Sequence, residues 1–283
     1  MRAATLTRNI GHAFGENRLT LVAVVILLLL LVCAAFGDAL APYDPLMTDG
    51  GAKMMPPNAA HVFGTDALGR DILSRVVVAA RLDLGMAISA VALSFAGGLA
   101  LGAIAGYFGG KVDSLIMRLV DLLLAFPSIL VAMMLLAFLG KSVTNVVLTL
   151  VLIEWAYYAR TARAQALVEA RREYVEAARS LAIPNWRIVL VHILPNCLPP
   201  LIVVGMLQVA RAITLEATLS FLGLGVPITE PSLGLLIANG YQTMLSGEYW
   251  TSVYPGLALL AMLVSINMVG DRLRELLNPR FVK

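Results

Sequence analysis

Long apolar runs separated by short polar stretches dominate the chain. They fall near Leu19–Phe36, Leu84–Tyr107, Leu119–Leu139, Val143–Tyr158, Leu198–Leu222 and Tyr254–Val269. About 20 mainly apolar residues suffice to cross a bilayer as a helix, so the pattern predicts an all-α membrane protein with about six transmembrane helices. The boundaries agree. The first run ends at Asp38 and a turn-forming stretch from Ala41 to Pro45, and the second at Gly109-Gly110-Lys111. The fourth closes on Trp155, Tyr157 and Tyr158 with Arg160 behind them, an aromatic belt followed by a charge.

Composition points to lipid as the solvent. Of 283 residues 59% are hydrophobic and 14% charged, against about 25% charged in a soluble domain. The placement of the 21 Lys and Arg residues orients the bundle. Most lie in the N-terminal tail, after span two, between spans four and five, and at the C-terminus. The other face holds Lys53, Arg70, Arg75, Arg81 and Lys141, and Arg211 falls inside span five. This asymmetry predicts both termini in the cytoplasm. The expected organisation is a cytoplasmic tail over 1–18, a first helix over 19–36, an extracytoplasmic segment over 37–83, a five-helix core over 84–272 and a cytoplasmic tail over 273–283. Arg2, Arg8 and Arg18 also suit a signal peptide, but the apolar run is longer than the usual 7–15 residues and no clean A-x-A site follows, which favours a retained helix. In the outer segment, Asp66–Leu82 places Leu68, Ile72, Val76 and Ala79 on one helical face with Thr65 as N-cap. That spacing predicts a short helix at the outer interface.

Candidate chemistry is sparse. Cys33 and Cys197 fall at opposite membrane faces, roughly 30 Å apart, beyond the reach of a disulfide. His12, His61 and His192 are scattered, so no metal or other cofactor is expected in the chain. No nucleophile elbow, HExxH motif or His/Cys/Asp cluster argues for an enzyme. Gly140-Lys141-Ser142 resembles the end of a phosphate-binding loop, but Leu135 stands where that loop needs its first glycine. Gly98, Gly102, Gly106 and Gly110 recur every fourth residue, a stripe for close helix packing either within the chain or against a partner. Glu154, Arg211 and Glu216 fall inside spans, with Asp121 near a boundary. Such residues line a polar route or bond to neighbouring helices, and both readings stand for Arg211 and Glu216, the candidate pathway residues.

The most informative stretch lies between spans four and five, within a loop over 161–197. Helix formers run from Glu173 through Glu176, Ala177, Ala178 and Arg179 to Leu181. Ile183 precedes Pro184, which disfavours helix there and ends the segment. A second short helix is predicted from Trp186 to Leu194, ahead of Pro195. The small pair Ala177-Ala178 permits close approach of a partner surface, and Glu173, Glu176, Arg172 and Arg179 flank it with charge. The same charges also suit a solvated, salt-bridged helix.

Residues Glu173 to Pro195 resemble the Glu-Ala-Ala loop of binding-protein-dependent ABC importer permeases. Glu176, Ala177, Ala178, Ile193, Leu194 and Pro195 match its pattern, and Ala182 stands where that family usually has glycine. If the family turn requires positive φ, alanine strains it by on the order of 1 kcal/mol, with Pro184 fixing the bend. Phe63-Gly64-Thr65-Asp66-Ala67-Leu68-Gly69-Arg70-Asp71 with Ser74-Arg75, Gly109 to Asp113, Met117 to Asp121, Leu219 to Gly225, and Gly270 to Arg274 with Asn278-Pro279-Arg280 resemble the dipeptide/oligopeptide/nickel branch, second permease type. The resemblance implies a type I importer permease fold in the bacterial plasma (inner) membrane. It implies a second homologous permease, two cytoplasmic ATP-binding subunits that hydrolyse the ATP, and an extracytoplasmic substrate-binding protein as partners, with no nucleic acid. Transport by alternating access would be driven through a coupling helix containing Glu173, Glu176, Ala177, Ala178 and Arg179. Di- or oligopeptides are the expected cargo, with nickel or glutathione as variations. A secondary transporter is the rival class, and would require internal repeats with broken helices at the midplane; none is evident in the sequence.

Overall fold

The structure is a computed structural model that describes residues Arg18–Leu277. The tails assigned to 1–18 and 273–283 fall largely outside the described residues, as do His12 and Asn278-Pro279-Arg280. All regular elements found there are helices: α1 (Arg18–Leu40), α2 (Ile72–Phe108), α3 (Gly110–Ala125), α4 (Ser128–Leu139), α5 (Val143–Glu169), α6 (Glu173–Ser180), α7 (Asn185–Ile188), α8 (Leu194–Phe221), α9 (Leu233–Met244) and α10 (Trp250–Leu277).

Among the described residues, four helical stretches are long and apolar enough to cross a membrane: Arg18–Leu40, Ile72–Phe108, Asn185–Phe221 and Trp250–Glu275. A fifth exists if α3 and α4 form one span, though they meet at a 94° bend. The run expected as one straight helix over Leu119–Leu139 therefore bends. Phe126 adopts φ −96°, ψ 145°, the extended conformation forced on the residue before Pro127. The expected Val143–Tyr158 span lies in α5, whose Asn145, Glu154 and later arginines dilute its apolarity. The membrane character is plainest in α1. Only 11% of its span is buried, and Leu19, Leu21, Val22, Leu28 and Leu29 are exposed. Such a surface is stable only where lipid or a partner replaces water.

The chain divides into two compact units. One comprises Ile88–Leu135 and Val147–Val209. Its seam is the glycine stripe. A Cβ at Gly98 would sit 2.6 Å from the Trp155 carbonyl oxygen, at Gly102 2.3 Å from that of Ala159, and at Gly106 2.7 Å from that of Arg163. The helix backbones thus touch along three turns, and the stripe serves packing within the chain. Gly110 has φ +55° with open space around it and is the first residue of α3, directly after the turn at Gly109. Leu99, Ala103, Tyr158, Ala162 and Ala166 form a core that continues under α6 through Val175, Ala178, Ile188, Ile193 and Cys197.

The other unit comprises the residues up to Ala87, Leu136–Val146 and those from Ala210 onward. Here α9 packs on α10 and α10 on α1. Residues 41–71 fold without helix around Asp66, whose carboxylate accepts from the Leu68 and Arg70 amides, Arg70 Nε and Arg75 Nη1 at 2.8–3.0 Å. The separate interfacial helix expected over Asp66–Leu82 is not formed. The helix starts at Ile72 and is continuous to Phe108. Its first turn is capped by Asp71, whose Oδ2 accepts from Ser74 N at 2.8 Å. Thr65 is instead a loop tie, its hydroxyl accepting from Met55 N and donating to Ala52 O.

Candidate functional site

The chain leaves α5 at Glu169, and one turn later α6 begins. Two of its residues are anchored: Val175 is fully buried and Ala178 4% exposed. Glu173, Glu176, Ala177, Arg179 and Ser180 are exposed, as are the flanking Leu181 (76%) and Trp186 (64%). A helix of eight residues is too short to persist alone. Its stability comes from the buried pair, from two glutamates in its first turn and from Arg179 in its last, which complement the helix dipole.

The end of α6 is a Schellman turn. Ile183 N donates to Ala178 O at 3.1 Å and Ala182 N to Arg179 O at 2.9 Å, while Ala182 takes φ 54°. This is the left-handed residue such a turn needs, usually glycine. The alanine at that position is therefore strained, and Ile183 secures the turn by packing on the core. Pro184 follows as N-cap of α7 with φ −62°. The next stretch differs from expectation. The helix does not stop before Pro195; α7 passes into a π-helical turn over Val189–Ile193 and then into α8. The wider turn lets the chain enter α8 across Pro195, which has no N–H to donate.

Contacts of Tyr107 and Tyr174 hold this segment to its neighbours. Tyr107, at the end of α2, donates its hydroxyl to Asn185 Oδ1 at 2.8 Å, and Arg179 lies 5.0 Å from the centre of its ring. Tyr174 donates to Glu169 Oε2 at 2.6 Å and accepts from Asn196 Nδ2 at 3.2 Å. Burial, and then the bond to Glu169, push the Tyr174 hydroxyl up to about 12, so it remains a donor throughout the physiological range. Arg163 of α5 forms a two-pronged ion pair with Asp113 of α3. Sequence reading overlooked Tyr107, Glu169, Tyr174 and Asn196. The available signal was aromatic residues at helix ends beside a polar loop.

The proposed pathway residues lie elsewhere. Glu216 is 1% exposed, and its Oε1 accepts from Ser220 one turn along α8 at 2.6 Å. Asp83 Oδ2 accepts from Leu233 N at 3.0 Å, and Ser232 caps α9 by accepting from Leu235 N. Asp83 therefore joins α2 to the start of α9. Arg211 is half-buried on the preceding part of α8. Glu154 is fully buried and takes a hydrogen bond from Gln208. No group of three His, Cys, Asp or Glu that could hold a metal occurs among the described residues.

Comparison with known proteins places this geometry. Residues 98–283 match the family described as binding-protein-dependent transport system inner membrane component, and residues 5–57 match the N-terminal TM domain of oligopeptide transport permease C. Among named relatives, a protein of Escherichia coli (strain K12) described as a probable D,D-dipeptide transport system permease protein is 40% identical, covering 93% of this chain and 88% of its own. The di/tripeptide transport system permease protein of Pseudomonas aeruginosa (strain UCBPP-PA14) is 37% identical over 95% and 90%. The dipeptide transport system permease protein of Bacillus subtilis (strain 168) is 34% identical over 97% and 86%. Among solved structures, a chain of the inward-facing MetNI methionine ABC transporter superposes with TM-score 0.58 at 20% identity, over 72% of this chain and 96% of that one, a likeness of fold.

Proposed function

The chain belongs to the binding-protein-dependent transport system inner membrane component family, and from that premise we propose that it imports di- or oligopeptides as one of two permeases in an ATP-driven complex. It is a multi-pass permease of the inner membrane and a transport protein rather than an enzyme. In the proposed topology six spans cross the membrane, both termini are cytoplasmic, and α6 lies on the cytoplasmic face. Two ATPases bind there, a second permease packs alongside, and an extracytoplasmic binding protein delivers the peptide.

The observation that carries this reading is the two-sided character of α6. Val175 and Ala178 fasten it to a core shared with α2, α5 and α8, while Glu176, Ala177, Arg179 and Leu181 stand open. A rigid lever with a free outer face transmits a push from a docked partner into the spans. ATP binding in the partners would then bias a bistable bundle between inward- and outward-facing states. Glu173 supplies charge at the start of the docking face, Ala182, Pro184 and Pro195 set the angles on either side, and Glu216 and Arg211 remain the proposed pathway residues. The dipeptide names of the relatives favour peptide cargo over nickel or glutathione.

Uptake of a labelled dipeptide by cells lacking this gene tests the assignment. The wild-type chain is expected to restore uptake, and Glu176→Arg, at equal membrane abundance, is expected not to. Uptake that never depended on the gene would refute the peptide assignment. Rescue by both chains would remove Glu176 from coupling.

A further inference from the structure

The last turns of α5 and the turn behind them form an open groove of about 770 Å³, lined by Arg163, Ala164, Leu167, Val168, Arg171 and Arg172. These residues fall in two rows with a spacing of four, so that an apolar strip of Ala164, Leu167 and Val168 lies between arginines at both ends. Val168 is 54% exposed. Neither the transport cycle nor the docking face of α6 described above uses this groove.

The arginines differ in what engages them. Arg163 is committed to Asp113 through its Nε and Nη2. Arg172 has only a long pair with Glu169, 3.8 Å from Nε to Oε1, which is beyond hydrogen-bond reach. Glu169 is already taken up by Gln165 and Tyr174. The Arg171 side chain is exposed and makes no hydrogen bond or ion pair among the described residues. Three guanidinium groups against the carboxylates of Asp113 and Glu169 leave one positive charge over, the complement of a single phosphodiester.

In the proposed topology α5 spans the membrane, and Arg163 lies about 30 Å along it from Val143, the thickness of the hydrocarbon core. The aromatic boundary at Trp155, Tyr157, Tyr158 and Arg160 directly precedes the groove. The groove therefore stands at headgroup depth on the cytoplasmic side, where basic pockets attract anionic headgroups. A soluble acidic partner would engage the guanidinium groups but leave Leu167 and Val168 in water. A lipid satisfies both, because its acyl chain covers the apolar strip.

We infer that this groove binds an anionic phospholipid of the inner leaflet. Arg171 and Arg172 hold the phosphodiester, and an acyl chain lies along Leu167 and Val168. The depth of the site rests on α5 being a span and is independent of the cargo.

The test titrates the complete, detergent-solubilised transporter with dioleoylphosphatidylglycerol or dioleoylphosphatidylcholine and counts bound lipid by native mass spectrometry. Phosphatidylglycerol is expected to bind about thirtyfold more tightly, each of the two arginines near the anionic headgroup contributing about fivefold. Arg171→Gln should reduce the preference to about fivefold, and Arg171→Gln with Arg172→Gln should remove it. Both positions are exposed, so the substitutions leave the core intact. Equal binding of the two lipids by the wild type, or an unchanged preference in the double variant, overturns the inference. Glycerophosphoglycerol, the headgroup without its acyl chains, is expected not to displace the lipid; displacement at equal concentration would reduce the ligand to a free phosphodiester and overturn the lipid assignment. Loss of the ATPases from the double variant, with its lipid preference intact, would assign the groove to those partners instead and overturn it as well.

Discussion

Replacing Ala182 by glycine is expected to stabilise the turn that ends α6. Ala182 holds φ 54°, a conformation that costs an L-residue with a Cβ about 1–2 kcal/mol. Its methyl group is exposed, so removing it sacrifices no packing. Against the gain stands the greater freedom of glycine in the unfolded chain, about 0.4–1 kcal/mol. The balance is a stabilisation of about 0.5–1 kcal/mol, which corresponds to a two- to fivefold smaller population of the open turn. Hydrogen exchange of the peptide covering Glu173–Ile183 reads this directly. The amides of Leu181, Ala182 and Ile183 close the turn, donating to Ala177, Arg179 and Ala178, and should exchange two- to fivefold more slowly in the variant. Ala182→Val, which adds branching at the strained position, should exchange faster than wild type. Unchanged or faster exchange in Ala182→Gly would refute the assignment of strain to this residue.

Other outcomes follow from the same contacts. Gly102→Val should separate α2 from α5, because a Cβ there already meets the Ala159 carbonyl at 2.3 Å; a loss of at least about 3 kcal/mol, or failure to accumulate, is expected in thermal unfolding. Tyr107→Phe removes the bond to Asn185 but keeps the ring under Arg179. It should cost about 1 kcal/mol and loosen α7 in hydrogen exchange, and an unaltered α7 would show that Tyr107 does not hold it. Glu216→Leu leaves the Ser220 hydroxyl without its acceptor and should destabilise by about 1–3 kcal/mol. Glu216→Gln should retain most of the stability, and full uptake by that variant would remove Glu216 from the translocation route.

Much of this protein was legible in order along the chain. The apolar runs mark where helices cross lipid, because a bilayer offers backbone groups no partner except within a helix. The Glu-Ala-Ala segment, its proline punctuation and the departure at Ala182 are likewise local, since turn geometry depends on neighbouring residues alone. Only tertiary structure decided the rest. The glycine stripe could have faced a partner; its closeness to the carbonyls of Trp155, Ala159 and Arg163 shows that it is spent inside the chain. The helix expected to begin near Asp66 starts at Ile72, because Asp66 is consumed by Arg70 and Arg75 while Asp71 takes the cap. Asp83 and Leu233, far apart in sequence, meet through a buried hydrogen bond, and Tyr107 reaches Asn185 from another helix. Periodicity reports which face of a helix avoids water. It cannot report which residue of a distant helix will occupy that face, and the Tyr107–Asn185 and Arg163–Asp113 contacts are of that second kind.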